Sequence, residues 1–189
     1  AAQKAGAALV VLDPRRTNLA RQADIHLALR PGTDVVVALS LHRFLFEHDL
    51  ADWQFLAKHT HGAERLRERA APWTFDRAAE VAGLDPELLE NFAEMYADIS
   101  PAVLRCGWGL ERNRNGGNAA LAVLALPTVA GKFGVRGGGY SMSNSGAWNL
   151  SPETWIDTPE PDTRIVNMNL LGKALLEYHN PPIQMLFVY

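Results

Sequence analysis

The sequence predicts an α/β fold, in which short and mostly parallel strands form a sheet flanked by helices. Residues 8–12 are an apolar run without polar alternation, which is typical of a strand buried on both faces of a parallel sheet. Such runs alternate along the chain with longer segments of helical character. The strongly apolar segment at residues 33–50 is too long for a strand, and its acidic start suits a helix N-terminus.

The remaining elements follow from turn and capping residues. Residues 23–30 predict a second strand, because Pro31 removes the backbone donor that would continue it. Short helices then predict a helical insertion at about residues 50–98. Their N-termini carry residue types preferred for capping, namely Asp52, Thr74 and Asp85, the last followed by Pro86.

The last third of the chain is less regular. A third strand is predicted at residues 102–109 and a buried helix at residues 118–134, kinked or frayed near Pro127. Residues 134–151 are rich in Gly, Ser and Asn and predict a loop. We therefore divide the chain into three parts: an α/β region at residues 1–150, a linker rich in Pro and acidic residues at 151–165, and a helix and strand at 166–189.

Composition excludes several classes of function. The 189 residues have a net charge of -3, which argues against bulk electrostatic attraction to nucleic acid or to an anionic membrane. The single cysteine, Cys106, excludes a disulfide framework and a cysteine-bound iron–sulfur or zinc site within the chain. No apolar run approaches the roughly 20 residues that span a bilayer. The chain begins on a helix end and finishes on an apolar strand, so we expect a piece of a longer polypeptide.

Polar turns follow the three predicted strands. In parallel α/β sheets, ligands bind beyond the carboxyl ends of the strands. The segments to consider are therefore residues 13–17, 31–34 and 107–117. None of them contains a recognisable metal site, and His59 and His61 lack the spacing and the partners that zinc sites use.

The turn at residues 31–34 allows two interpretations. The Asp34 carboxylate can accept two parallel hydrogen bonds, from a guanine edge or from two ribose hydroxyls, while Gly32 lets the backbone come close. Thr33 and Asp34 are also preferred helix-capping residues whatever the function. The two interpretations are compatible.

The other two turns carry arginines. Arg15 and Arg16 could bind a diphosphate bidentately, although adjacent arginines are commonly just solvated. The segment GWGLERNRNGG combines glycines, an aromatic ring and two arginines, and could stack a ring, bind an anion or form an exposed basic loop.

Taken in order, LDPRRT, RPGTD and RCGWGLERNRNGG resemble motifs of the molybdopterin oxidoreductases, the superfamily of dimethyl sulfoxide reductase, formate dehydrogenases and nitrate reductases. The resemblance covers nearly the whole chain and is least characteristic at about residues 142–164. It implies a Rossmann-like sheet and a molybdenum or tungsten ion held by two molybdopterin guanine dinucleotides.

The resemblance also implies cofactor contacts. Asp34 would contact guanine or ribose, and Trp108 and Arg112 would lie near a pterin or its phosphates. Backbone groups of residues 137–139 and 143–146 would approach the cofactor. The full set of implied contacts is Asp13, Pro14, Arg15, Arg16, Thr17, Gly32, Thr33, Asp34, Trp108 and Arg112.

The family's metal ligand lies upstream of this segment, as do the cysteines of its 4Fe-4S cluster where one exists. We therefore expect no catalytic residue and no metal ligand in this chain, and no activity from the chain alone. Cys106 is expected to be a buried structural thiol. The whole enzyme would act on a small molecule, in the cytoplasm or periplasm, with an iron–sulfur electron-transfer subunit as a possible partner.

Two alternatives remain open. The first is an NAD- or FAD-type dinucleotide-binding dehydrogenase domain, but no G-x-G-x-x-G motif follows a predicted strand. The second is a non-catalytic subunit of a redox complex that kept the fold. All the turns that would contact the cofactor still carry recognisable motif residues. This weighs against the second alternative.

Overall fold

The computed structural model describes residues 2–142 and 164–187, and the chain divides into two units, at residues 1–143 and 144–189. The first unit has the predicted α/β architecture, with short parallel strands and flanking helices. Its strands are β1 (Val10–Leu12), β2 (Ile25–Leu27), β3 (Val103–Cys106) and β4 (Gly139–Met142). Its α-helices are α1 (Asp34–Glu47), α2 (Trp53–His59), α3 (Ala63–Ala70), α4 (Phe75–Ala82), α5 (Pro86–Asp98) and α6 (Gly116–Val129).

The described strands form two parallel pairs instead of one continuous sheet. β1 pairs with β2 so that Val10 lies opposite Ile25, and β3 pairs with β4 so that Val103 lies opposite Gly139. The crossover from β3 to β4 contains α6, whereas β1 and β2 are joined by a loop with a single short 3-10 turn at Ala20–Gln22. In each pair the carboxyl ends of both strands lie at the same edge.

The strand β4 corrects the prediction of a loop at residues 134–151. Its four residues, GYSM, pair in register with the whole of β3, and the Gly139 N–H donates to the Ala102 carbonyl just before that ladder. Gly138 has no room for a side chain, because a Cβ there would collide with the Lys132 carbonyl oxygen. Glycine is therefore present for close backbone packing, which composition alone does not distinguish from a flexible loop.

The core lies between the helices. α1 is buried over most of its surface, including Val37, Leu41 and Leu45, and it packs against α6. The predicted caps of three other helices are confirmed: Asp52 accepts from Phe55 N at 2.9 Å, Thr74 from Arg77 N at 3.1 Å and Asp85 from Glu87 N at 3.0 Å. α6 continues through Pro127, which lies buried in its last turn.

The second unit is described at residues 164–187. It contains a 3-10 turn at Met168–Leu170 and helix α7 at Leu171–Glu177. The strand predicted at the end of the chain is not formed at residues 183–187, which have no regular secondary structure. An apolar run becomes a strand only where a backbone edge is available to pair with it. Residues 143–146 and the linker up to residue 163 lie outside the described residues.

In the part of the chain that the structure describes, every helix is too short or too polar to cross a membrane.

Candidate cofactor-binding site

The turns after β1 and β2 are tied together at one edge of the first strand pair. The Asp13 N–H donates to the Leu27 carbonyl at 3.2 Å. The His26 ring, which is half-buried in the middle of β2, places Nε2 2.9 Å from the Asp13 carbonyl oxygen. β2 therefore holds the start of the residue 13–17 turn in place.

The residue 13–17 turn is braced by its own polar side chains. The Asp13 carboxylate accepts from Arg15 N at 2.8 Å, and the Thr17 hydroxyl accepts from Ala20 N at 3.2 Å. Arg15 and Arg16 are exposed, and their guanidinium groups make no hydrogen bond or ion pair within residues 2–142 and 164–187. The turn thus has a rigid backbone and two adjacent cations available to an anion.

The turn before α1 leaves the Asp34 carboxylate available to a ligand. Thr33 occupies the N-cap position of α1, but its hydroxyl donates backwards to the Arg30 carbonyl at 2.6 Å and makes no capping bond to the helix. Asp34 is the first helical residue and is half-buried. Burial raises the pKa of the Asp34 carboxyl, and a hydrogen bond involving its own backbone opposes that shift. The Thr33 side chain therefore does not cap α1, contrary to the capping interpretation.

The loop after β3 reaches the same turn. Gly32 has φ of +85°, and a Cβ built on it would lie 3.6 Å from the Asn113 side chain. Asn113 in turn donates from Nδ2 to the Gly109 carbonyl at 3.0 Å, which stabilises the loop that approaches Gly32. The structure therefore brings the second and third strand-end turns together.

The negative charge of Asp34 acts on the Cys106 thiol at the end of β3. Burial raises the pKa of the Cys106 thiol, a hydrogen bond with Tyr140 opposes that shift, and the negative charge of Asp34 raises it further. Burial raises the pKa of the Tyr140 phenol to about 12, and Cys106 adds to that shift. Cys106 was expected to be a buried structural thiol, and the structure shows it half-buried at the end of β3.

Trp108 and Arg112 form a pair on the loop after β3. The Arg112 guanidinium carbon lies 5.5 Å from the centroid of the Trp108 ring, a cation–π geometry, and Trp108 is 53% exposed. The indole therefore presents ring surface to solvent. No group of His, Cys, Asp and Glu that could hold a metal ion occurs among the described residues.

Sequence reasoning missed two residues of this region. His26 holds the residue 13–17 turn, and its signal was a polar side chain in the middle of an otherwise apolar strand. Tyr140 lies beside Cys106 because β4 pairs with β3, and it was hidden by the prediction of a loop.

Comparison with known proteins supplies the family. No family model matches the chain. The protein named "Probable oxidoreductase YoaE" from Bacillus subtilis is 36% identical over 191 residues, covering 100% of this chain and 28% of that protein. The F420-dependent formate dehydrogenase subunit alpha of Methanocaldococcus jannaschii is 31% identical, covering 74% of this chain and 21% of that subunit. The solved structure of acetylene hydratase from Pelobacter acetylenicus superimposes with a TM-score of 0.68 at 35% identity, covering 71% of this chain and 18% of the hydratase.

The chain belongs to the molybdopterin oxidoreductase superfamily. The resemblance inferred from the LDPRRT and RPGTD motifs is thereby confirmed, as is the α/β fold. The chain spans between 18% and 28% of the length of the three relatives described above.

Proposed function

We propose that this chain provides a binding surface for a guanine dinucleotide in a molybdenum or tungsten enzyme that uses two molybdopterin guanine dinucleotides. The observation that carries the proposal is the half-buried Asp34 carboxylate at the start of α1, beside the point where two strand-end turns meet. A desolvated carboxylate gains most from a ligand that offers two adjacent donors. Guanine does so through N1–H and its exocyclic amine.

The other turns provide the remaining chemistry of a dinucleotide site. The exposed guanidinium groups of Arg15 and Arg16 can neutralise a diphosphate, and the backbone bonds of Asp13 and Thr17 keep that turn rigid. The exposed Trp108 ring, with Arg112 over it, can pack against a flat pterin or a phosphate next to it. These residues therefore fit the cofactor that the family membership suggests.

The reaction itself would belong to the bound cofactor, which supplies two-electron redox chemistry at its metal. This chain's residues would bind the nucleotide, orient it and shield the base from water. Relatives named as formate dehydrogenase alpha subunits support a small-molecule substrate and a partner subunit, and we propose that the partner transfers electrons through iron–sulfur clusters. Because the chain spans only 18% to 28% of the length of the relatives described above, we propose that the 189 residues have no activity alone.

A second candidate is a hydration reaction at the same kind of cofactor. It is favoured by the 36% identity to acetylene hydratase over 70% of this chain, compared with 31% to the formate dehydrogenase subunit. Assaying the purified natural polypeptide for electron transfer to a viologen dye and for water addition to an alkyne separates the two candidates. The binding role of the strand-end turns is common to both.

The test of the proposed contact uses Asp34→Asn in the natural polypeptide that carries this sequence. Asn replaces one acceptor oxygen by a donor, so it can no longer pair with both guanine donors. We expect GMP and metal per polypeptide to fall about tenfold, the size expected for hydrogen bonds to a charged group. Asp24→Asn is the matched control, because Asp24 accepts from Leu9 N at 2.7 Å at the opposite end of β2.

Wild-type occupancy in the control together with a loss in Asp34→Asn supports the proposal. Full GMP and metal occupancy in Asp34→Asn would show that the carboxylate does not hold the nucleotide.

A further inference from the structure

Arg30 joins the turn that carries Asp34 to the end of helix α4. The Arg30 backbone N–H donates to the Ala82 carbonyl at 2.8 Å. Its side-chain Nη1 donates to the carbonyls of Glu80 at 3.0 Å and Val81 at 3.1 Å. These are three of the last four carbonyls of α4, which have no partner inside the helix. One residue therefore caps the helix with both its backbone and its side chain.

The local sequence makes room for this contact. Gly83 ends α4 with φ of +72°, and a Cβ on it would lie 3.0 Å from the Arg30 Nε atom. A side chain at position 83 would therefore push the guanidinium away from the helix end. The positive charge of Arg30 also faces the negative end of the α4 dipole.

Arg30 also contacts the residue 31–34 turn, through its own backbone carbonyl. The Arg30 carbonyl accepts from the Thr33 hydroxyl at 2.6 Å and from the Thr33 N–H at 3.2 Å. Thr33 is followed directly by Asp34 at the start of α1. Hydrogen bonds thus join the carbonyls of α4 to Arg30 and Arg30 to Thr33, and Thr33 is bonded through the chain to Asp34, which carries the carboxylate.

We propose that Arg30 is a positioning residue for the nucleotide site, through which helix α4 sets the position of Asp34. This inference rests on the proposed function, since it concerns how Asp34 is held for its ligand. Arg30 does not need to contact the cofactor. Without its contacts, the residue 31–34 turn would keep its packing near Asn113 and its link to α1 but would lose its hydrogen-bonded attachment to α4, so the carboxylate would be held less firmly.

The experiment measures cofactor release from the holoenzyme of the natural polypeptide. The variants are Arg30→Met, Asp34→Asn and the double variant, and GMP that remains with the protein is followed over time after gel filtration. We expect Arg30→Met to release the cofactor about fivefold faster, the size expected for one or two hydrogen bonds. We expect the double variant to release it no faster than Asp34→Asn, because both changes act on one contact.

Arg77→Met is the matched control. The Arg77 guanidinium donates to the Pro72 carbonyl at 3.1 Å and lies 4.5 Å from the Trp73 ring centroid, so it also joins helix α4 to a backbone carbonyl, but away from the turn. We expect wild-type release from this variant. Arg30→Lys keeps the positive charge but not the planar guanidinium group, and we expect it to release the cofactor about twofold faster than the wild type. This variant provides the test if Arg30→Met does not fold.

Three results would overturn the inference while leaving the proposed function standing: wild-type release from both Arg30 variants, equal acceleration by Arg77→Met, or additive effects in the double variant. Wild-type release from Asp34→Asn would overturn the proposed contact and, with it, the role of Arg30.

Discussion

The Nε2 atom of His26 lies 2.9 Å from the backbone carbonyl oxygen of Asp13, across 13 residues of sequence. This contact joins the middle of β2 to the end of β1, where the two exposed arginines of the residue 13–17 turn follow. A buried or half-buried hydrogen bond of this kind contributes about 1 kcal/mol to stability.

Replacing His26 should therefore loosen the residue 13–17 turn. We expect His26→Ala to lower the free energy of unfolding by about 1 kcal/mol, because the Asp13 carbonyl loses its side-chain partner. His26→Gln, whose Nε2 can donate in the same direction, should recover part of that loss. The measurement is urea unfolding, with exposed His61→Ala as the control. Equal stability of wild type and His26→Ala would contradict the contact.

The backbone at Gly32 requires glycine. Its φ of +85° is a left-handed conformation, which costs a residue with a Cβ about 1–2 kcal/mol. We expect Gly32→Ala to destabilise the protein by that amount through the backbone alone, because the added Cβ would lie in ordinary contact with Asn113 at 3.6 Å. Gly117→Ala is the control, because Gly117 lies in the first turn of α6 with open space around it, and alanine should be neutral or stabilising there. Differential scanning calorimetry should show a lower melting temperature for Gly32→Ala and an unchanged or higher melting temperature for Gly117→Ala.

His42 makes stability depend on pH. The ring is fully buried between α1 and α6, with Nε2 2.9 Å from the Ala122 carbonyl oxygen, and burial lowers its pKa from 6.5 to about 4. Between these two values the unfolded chain binds a proton that the folded chain does not, so stability is lost as the pH falls from 6.5 towards 4.

We expect the wild type to lose about 3 kcal/mol more than His42→Gln between pH 7.5 and pH 4, since each pKa unit corresponds to about 1.4 kcal/mol. Urea unfolding at a series of pH values measures this difference. A pH-independent difference between the two proteins would mean that His42 does not titrate on unfolding.

The ionised Asp34 carboxylate should lower the free energy of unfolding of the apo protein at neutral pH. Because burial raises its pKa above the ordinary value of 3.8, its favourable contribution is present below that value and is lost as the pH rises through the folded-state pKa. We expect the melting temperature of apo Asp34→Asn at pH 7 to equal or exceed that of the wild type. A clear decrease would mean that the charge stabilises the start of α1 more than burial penalises it.

Local rules predicted the helices well. The caps at Asp52, Thr74 and Asp85 depend on one side chain and a backbone N–H within three residues, so sequence is sufficient to find them. The long buried helix was evident at residues 33–50 because no strand accommodates so long an apolar run, and the structure has α1 at Asp34–Glu47.

Features that depend on distant partners were missed. β4 exists because β3 offers an edge to residues that would otherwise be read as a Gly- and Ser-rich loop. In the candidate site, the family motifs identified the turns, but the approach of Asn113 to Gly32 across 81 residues could not be seen in the sequence.

The central claim is that these turns bind a guanine nucleotide, and the most direct measurement is the nucleotide released by acid hydrolysis of the purified natural polypeptide, alongside its metal content. We expect GMP together with molybdenum or tungsten, at about two GMP per metal ion. Release of AMP would indicate an NAD- or FAD-type site. The absence of any nucleotide and metal from active protein would contradict the account.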